Sequence, residues 1–147
     1  MRFPLLLLAA TCATLWIGLD APAAGVPRST LTAGSSSFGR ILFDGRGYAL
    51  YGFTRDPRRK SACNGSCAKA WPPYLVTSRA QARAGNGVRS RLLGTTTRAD
   101  GKHQVTYAGH PLYYYVGDRR PRQILCQNVS EFGGVWLVVR ANGAFVR

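Results

Sequence analysis

Asp56 and Asp118 are the residues whose type and placement most suggest chemistry. Each closes the same phrase, Tyr-x-aromatic-x-x-Asp: Tyr51, Phe53 and Asp56 in "YGFTRD", then Tyr113, Tyr115 and Asp118 in "YYYVGD". Two carboxylates can share acid–base work on a substrate only if they converge on one site, within about 10 Å of each other. The competing expectation is structural, because a turn aspartate folds back onto nearby backbone N–H groups and holds its own turn. Cys63 and Cys67 form the second constellation. In an exported chain such a pair reads as a disulfide. A redox pair is normally written Cys-x-x-Cys, and a zinc site wants four ligands. The rival reading recruits Cys126 and either His103 or His110 for redox or metal handling. Cys126 is left as a free thiol, an intermolecular bridge, or an alternative partner for Cys63 or Cys67. No nucleophile pattern accompanies the two histidines. The expectation is therefore no catalytic residue, no bound cofactor and no metal.

The chain has 147 residues and a formal net charge of +14, with 17 arginines among its 20 basic residues. Such a field attracts polyanions over roughly 8–10 Å at ordinary salt. Arg119, Arg120 and Arg122, next to the Tyr113–Tyr115 aromatics, are the candidate anion-binding group. Anionic envelope polymers or lipid headgroups are the expected partners. Nucleic acid also fits the charge, and oligomeric state is left open. The N-terminus, "MRFPLLLLAATCATLWIGLDAPAAG", has a basic residue, an apolar run and the small-x-small site Ala21-Pro22-Ala23. That predicts a signal peptide over 1–23 and export. Lipid anchoring at Cys12 is the lesser expectation, because Ala9-Ala10-Thr11-Cys12 lacks a large aliphatic residue three positions before the Cys.

The elements that must hold these residues read as mostly β. A linker is expected over 24–38, "AGVPRSTLTAGSSSF", on its small and polar composition. A single domain then spans 39–147. "RILFD" and "YALYGF" are strands around a Gly-rich turn, and alternation sends Tyr51 and Phe53 to one face and Leu50 and Gly52 to the other. Ser66 to Trp71 is expected as a short helix stopped by Pro72-Pro73. Residues 76–90 read as a long polar loop. "LLGTTTRADGKHQVTY" predicts a hairpin with a two-residue Asp100-Gly101 turn. "VWLVV", "ANG" and "AFV" read as strand, turn and final strand.

A constant offset of 62 carries Gly47, Leu50, Tyr51, Phe53 and Asp56 onto Gly109, Leu112, Tyr113, Tyr115 and Asp118, and Trp71 reaches Trp136 at 65. The chain is thus read as two copies of one unit, about 39–75 and about 101–143. Neither copy has enough strands to be stable alone, so a pseudo-twofold arrangement of one small antiparallel domain is expected. These residues, with "CNGSCAKAWPP" between the copies and "GGVW" after them, resemble a bacterial family of predicted lipoproteins known as a secreted repeat of unknown function. The resemblance covers nearly the whole mature chain. It implies export and envelope association, and it implies no chemistry. The expectation is therefore an exported cell-envelope protein, a non-enzymatic binding or structural module with a basic surface. The alternative is a redox or metal-handling protein built on the cysteines and a histidine.

Overall fold

The computed structural model describes residues 29–147. The expected signal peptide, Cys12 and residues 24–28 of the expected linker lie outside the described residues. From Ser29 the chain is mostly β, as its pattern of strands and short Gly-containing turns predicts. The strands are β1 (Ser29–Ser36), β2 (Gly39–Asp44), β3 (Tyr51–Phe53), β4 (Leu75–Val76) and β5 (Ala82–Ala84) in the first half. The second half holds β6 (Leu93–Thr97), β7 (His103–Tyr107), β8 (His110–Pro111), β9 (Val129–Glu131) and β10 (Gly134–Val138). They form three small sheets, ordered β2-β1-β5, β3-β10-β9 and β4-β7-β6, with β8 added to β7. The one α-helix among the described residues, α1 (Ser66–Ala70), contains Cys67 and stops at Trp71, before the two prolines.

Three expectations are corrected. The stretch expected as a linker over 24–38 is β1 from Ser29 onward, paired in register with β2 from Leu31↔Asp44 to Ser36↔Gly39. Its Ala, Gly and Ser residues favour strand weakly, so the pairing comes from β2 and not from local propensity. The long loop over 76–90 contributes β5, which runs parallel to β1. The β6–β7 turn takes three residues, Ala99 to Gly101, because the Arg98 N–H bonds the Lys102 carbonyl at 2.9 Å.

The closing strands are exchanged between the halves. Tyr51 and Phe53 of β3 pair with Val138 and Trp136 of β10. In the mirror arrangement Tyr113 bridges to Pro73, and the Tyr114 N–H bonds the Pro72 carbonyl at 2.8 Å. Four residues past Trp71, Leu75 pairs with Gln104 of β7; four past Trp136, Arg140 bridges to Ile41 of β2. The two halves meet at Tyr51 and Tyr113, whose backbones exchange both hydrogen bonds at 2.9 Å. Gly47 and Gly109 repeat the exchange at the turns. Both have positive φ, 91° and 83°. The Gly47 carbonyl accepts from Arg122 N–H at 2.9 Å and the Gly109 carbonyl from Arg59 N–H at 2.7 Å. Only a residue without a Cβ adopts this backbone at little cost.

Period-two alternation divides the core. Tyr51, Phe53 and Tyr113 face one buried cluster with Trp71 and Trp136. Leu50 and Leu112 face the other, with Tyr107, Val105 and Val139. Tyr114, one residue along from Tyr113, packs against that second cluster.

Candidate functional site at the crossed tyrosine–aspartate pairs

The side chains of the repeated phrase bond across the molecule. The Tyr51 hydroxyl donates to Asp118 Oδ2 at 2.7 Å, and the Tyr113 hydroxyl donates to Asp56 Oδ2 at 2.8 Å. Each phenol thus reaches the aspartate of the other repeat. The remaining carboxylate oxygens hold the following loops: Asp56 Oδ1 accepts from Ala62 N–H at 2.7 Å, and Asp118 Oδ1 from Leu125 N–H at 3.0 Å. Burial pushes the Asp56 carboxyl up to about 6, against the opposing pull of the Ala62 N–H, the Tyr113 hydroxyl and Arg98. Burial raises Asp118 too, opposed by Tyr51 and Leu125. Burial and the adjacent carboxylates raise both phenols, so Tyr51 and Tyr113 stay protonated and remain donors.

The rings of Phe53 and Tyr115 repeat the same exchange. Trp71 and Trp136 stack at 4.0 Å with planes 2° apart. Phe53 of the first repeat lies on Trp136 of the second at 4.2 Å, while Tyr115 of the second lies on Trp71 of the first at 4.8 Å. Tyr51 meets Trp71 edge-on, and Tyr113 meets Trp136 likewise. The outcome is a ladder of Phe53, Trp136, Trp71 and Tyr115. Symmetry breaks at the indole nitrogens: Trp71 Nε1 donates to Glu131 Oε2 at 2.9 Å, whereas Trp136 Nε1 is buried with no partner among the described residues.

Cys63 and Cys67 are joined as a disulfide, with Cα atoms 5.2 Å apart. Cys126, one repeat away from Cys63, is a free, half-buried thiol. The neighbouring Cys126 thiol is the main cause of the raised pKa of the Tyr115 phenol. Among the described residues no three of His, Cys, Asp and Glu gather as a metal site. His110 packs on Phe145 at 4.3 Å, and burial followed by nearby Arg58 lowers its pKa.

Arg98 is a participant that sequence reasoning missed. It is 6% exposed. Its guanidinium donates to Ser61 Oγ at 2.8 Å, Gln104 Oε1 at 2.7 Å and the Cys63 carbonyl at 2.7 Å. The Tyr113 hydroxyl and Ser61 Oγ lie 2.7 Å apart, which joins this network to the Asp56 pair. Nothing in "TTTRADG" marks Arg98 as buried, since an arginine before a hairpin turn ordinarily points to water. Of the candidate anion-binding residues, Arg119, Arg120 and Arg122 are all exposed. Arg122 is partly committed: its guanidinium lies 4.4 Å over the Phe43 ring and donates to the Ser35 carbonyl at 3.3 Å.

Fold and site together define a protein of two intertwined β repeats, whose shared phrase supplies the bonds that join them. The chain belongs to the family described as a secreted repeat of unknown function, whose model matches residues 32–74 and 94–140. The first match begins inside β1, so the first repeat includes the strand expected as linker. No curated protein and no solved structure gives a significant match.

Proposed function

We propose that this secreted-repeat protein is a non-enzymatic binding module of the cell envelope, whose arginine-rich surface meets anionic polymers. One observation carries the reading: each of the five described acidic side chains already has a partner in the fold, while most of the described arginines are exposed and have no acidic partner among the described residues. Asp56 and Asp118 bond the crossed tyrosines, and Glu131 bonds Trp71. Asp44 bonds Arg46, Tyr48 and Tyr114, and Asp100 lies beside Arg98 and Lys102. A surface on which unpaired arginines far outnumber acids attracts a polyanion. The redox or metal-handling alternative is weaker, since Cys63 and Cys67 are consumed by each other.

The test is retention on an immobilised anionic glycopolymer across a salt series, with R119Q/R120Q/R122Q in parallel. The expected result is binding that falls steeply with salt and weakens several-fold in the variant. Binding indifferent to both salt and these arginines would sink the reading.

A further inference from the structure

Arg40, Arg89 and Arg140 line one open cavity of about 370 Å³, together with Gly87, Ala141 and Asn142. Arg40 on β2 and Arg140 just past β10 sit on neighbouring strands, tied by the Ile41↔Arg140 bridge and by the Ala141 N–H to the Arg40 carbonyl at 3.2 Å. The buried Tyr107 hydroxyl fixes the third wall. It accepts from the Arg89 N–H at 3.0 Å and donates to the Ala141 carbonyl at 2.8 Å, so one phenol sets the loop of Arg89 against the strand of Arg140. Gly87 leaves room for Arg40: a Cβ there would lie 2.4 Å from the Arg40 Nη2. The geometry of the cavity is therefore set by the fold.

The charges in it are uncompensated among the described residues. Arg40 and Arg140 each make one long bond to a carbonyl, both at 3.4 Å, and Arg89 has no side-chain partner among the described residues. All five described carboxylate side chains are engaged elsewhere, as set out above. Asn142 Oδ1 accepts from the Ala144 N–H at 3.0 Å, which leaves its amide group to donate. Three guanidiniums and an amide offer donors only, and like charges gathered without an acid repel unless an anion joins them.

Resting on the anionic-polymer reading, we infer that this cavity is a phosphate-ester site, taking a phosphodiester or pyrophosphate unit of a polyol-phosphate chain. Planar guanidinium forks match the several oxygens of a phosphoryl group better than they match a single acceptor. Among the described residues no aromatic ring lines the cavity, so it offers a nucleobase no platform for stacking.

The test is calorimetry on the full exported protein at fixed ionic strength, using inorganic pyrophosphate, poly(glycerol phosphate) and single-stranded DNA as probes. Three variants are compared: R40Q/R89Q/R140Q, the single R89Q, and K60Q/R79Q/R83Q, which removes the same charge elsewhere. Pyrophosphate affinity is expected to fall at least about tenfold in the triple cavity variant and roughly threefold in R89Q, with under about threefold loss in the charge control. R89Q keeps the result interpretable if the triple variant fails to fold, because the Arg89 side chain bonds nothing among the described residues. Equal losses in the cavity variants and the control would overturn the site, as would tighter, cavity-dependent binding of DNA. Polymer bound alike by every protein sinks the site and spares the broader reading. Pyrophosphate held by the cavity, with no polymer bound by the wild type, does the reverse.

Discussion

Asp56 is the residue whose titration reports most directly on the crossed pairs. An unfolded aspartate titrates near ~3.9, and in the fold burial lifts Asp56 to about 6. Between those values the folded state binds the proton more tightly than the unfolded chain. Stability from this group is therefore fullest below the unfolded value and is lost as pH rises through about 6. Asp118 shifts in the same direction, while His110, with a lowered pKa, acts oppositely. The clean readout is the difference between wild type and D56N, whose side chain does not titrate. That difference in melting temperature is expected to move against the wild type from about pH 4 to pH 6.5 and then level off; a flat difference would contradict the burial of this carboxyl. The pairing itself is tested by a double-mutant cycle. Y51F with D118N is expected to show coupling on the order of 1 kcal/mol, and Y51F with D56N almost none. Coupling confined to residues of one repeat would refute the exchange. At this scale the sequence made the participants legible and not their partners. Alternation places Tyr51 and Tyr113 on a face, but it cannot say whose aspartate waits there. Arg98 was hidden for the same reason, because its partners Ser61, Cys63 and Gln104 come from separate parts of the chain.

Local chemistry marked several elements well. Pro72-Pro73 stops α1, the threonine run becomes β6, and the apolar run at 134–138 becomes the central strand of its sheet. β1 and β5 were not legible, because Ser, Ala and Gly carry little strand propensity and both are strands only by pairing. The repeat itself held the missing signal for β1: the offset of 62 maps Thr32 onto Gly94, inside the recognisable strand β6. The Cys63–Cys67 bridge belongs to this scale, since it pins the entry to α1 beneath the stacked tryptophans. Its small loop predicts a loss of roughly 2 kcal/mol on reduction, read as a lower denaturant midpoint in the presence of a strong reductant. An unchanged midpoint after complete reduction, verified by thiol alkylation, would show the bridge to be dispensable to the fold.

Across the whole molecule, each repeat supplies what the other lacks. β3 is completed by β10, β7 is completed by β4, each motif tyrosine hydroxyl is received by the opposite repeat's aspartate, and Phe53 and Tyr115 pack on the opposite repeat's tryptophan. The duplication was legible in the sequence. The exchange was not, because a constant offset is equally compatible with two repeats folded side by side. It also bears on the proposed function, because the described carboxylates are partnered within the fold and most exposed arginines have no acidic partner among the described residues. The central claim is that neither repeat is a folding unit by itself. Its most direct test is to produce residues 24–87 and 88–147 as separate chains and to record circular dichroism and sedimentation for each alone and for the mixture. Two unfolded chains that assemble one-to-one into a β-structured complex are the predicted result. A stable folded monomer from either chain would contradict the account.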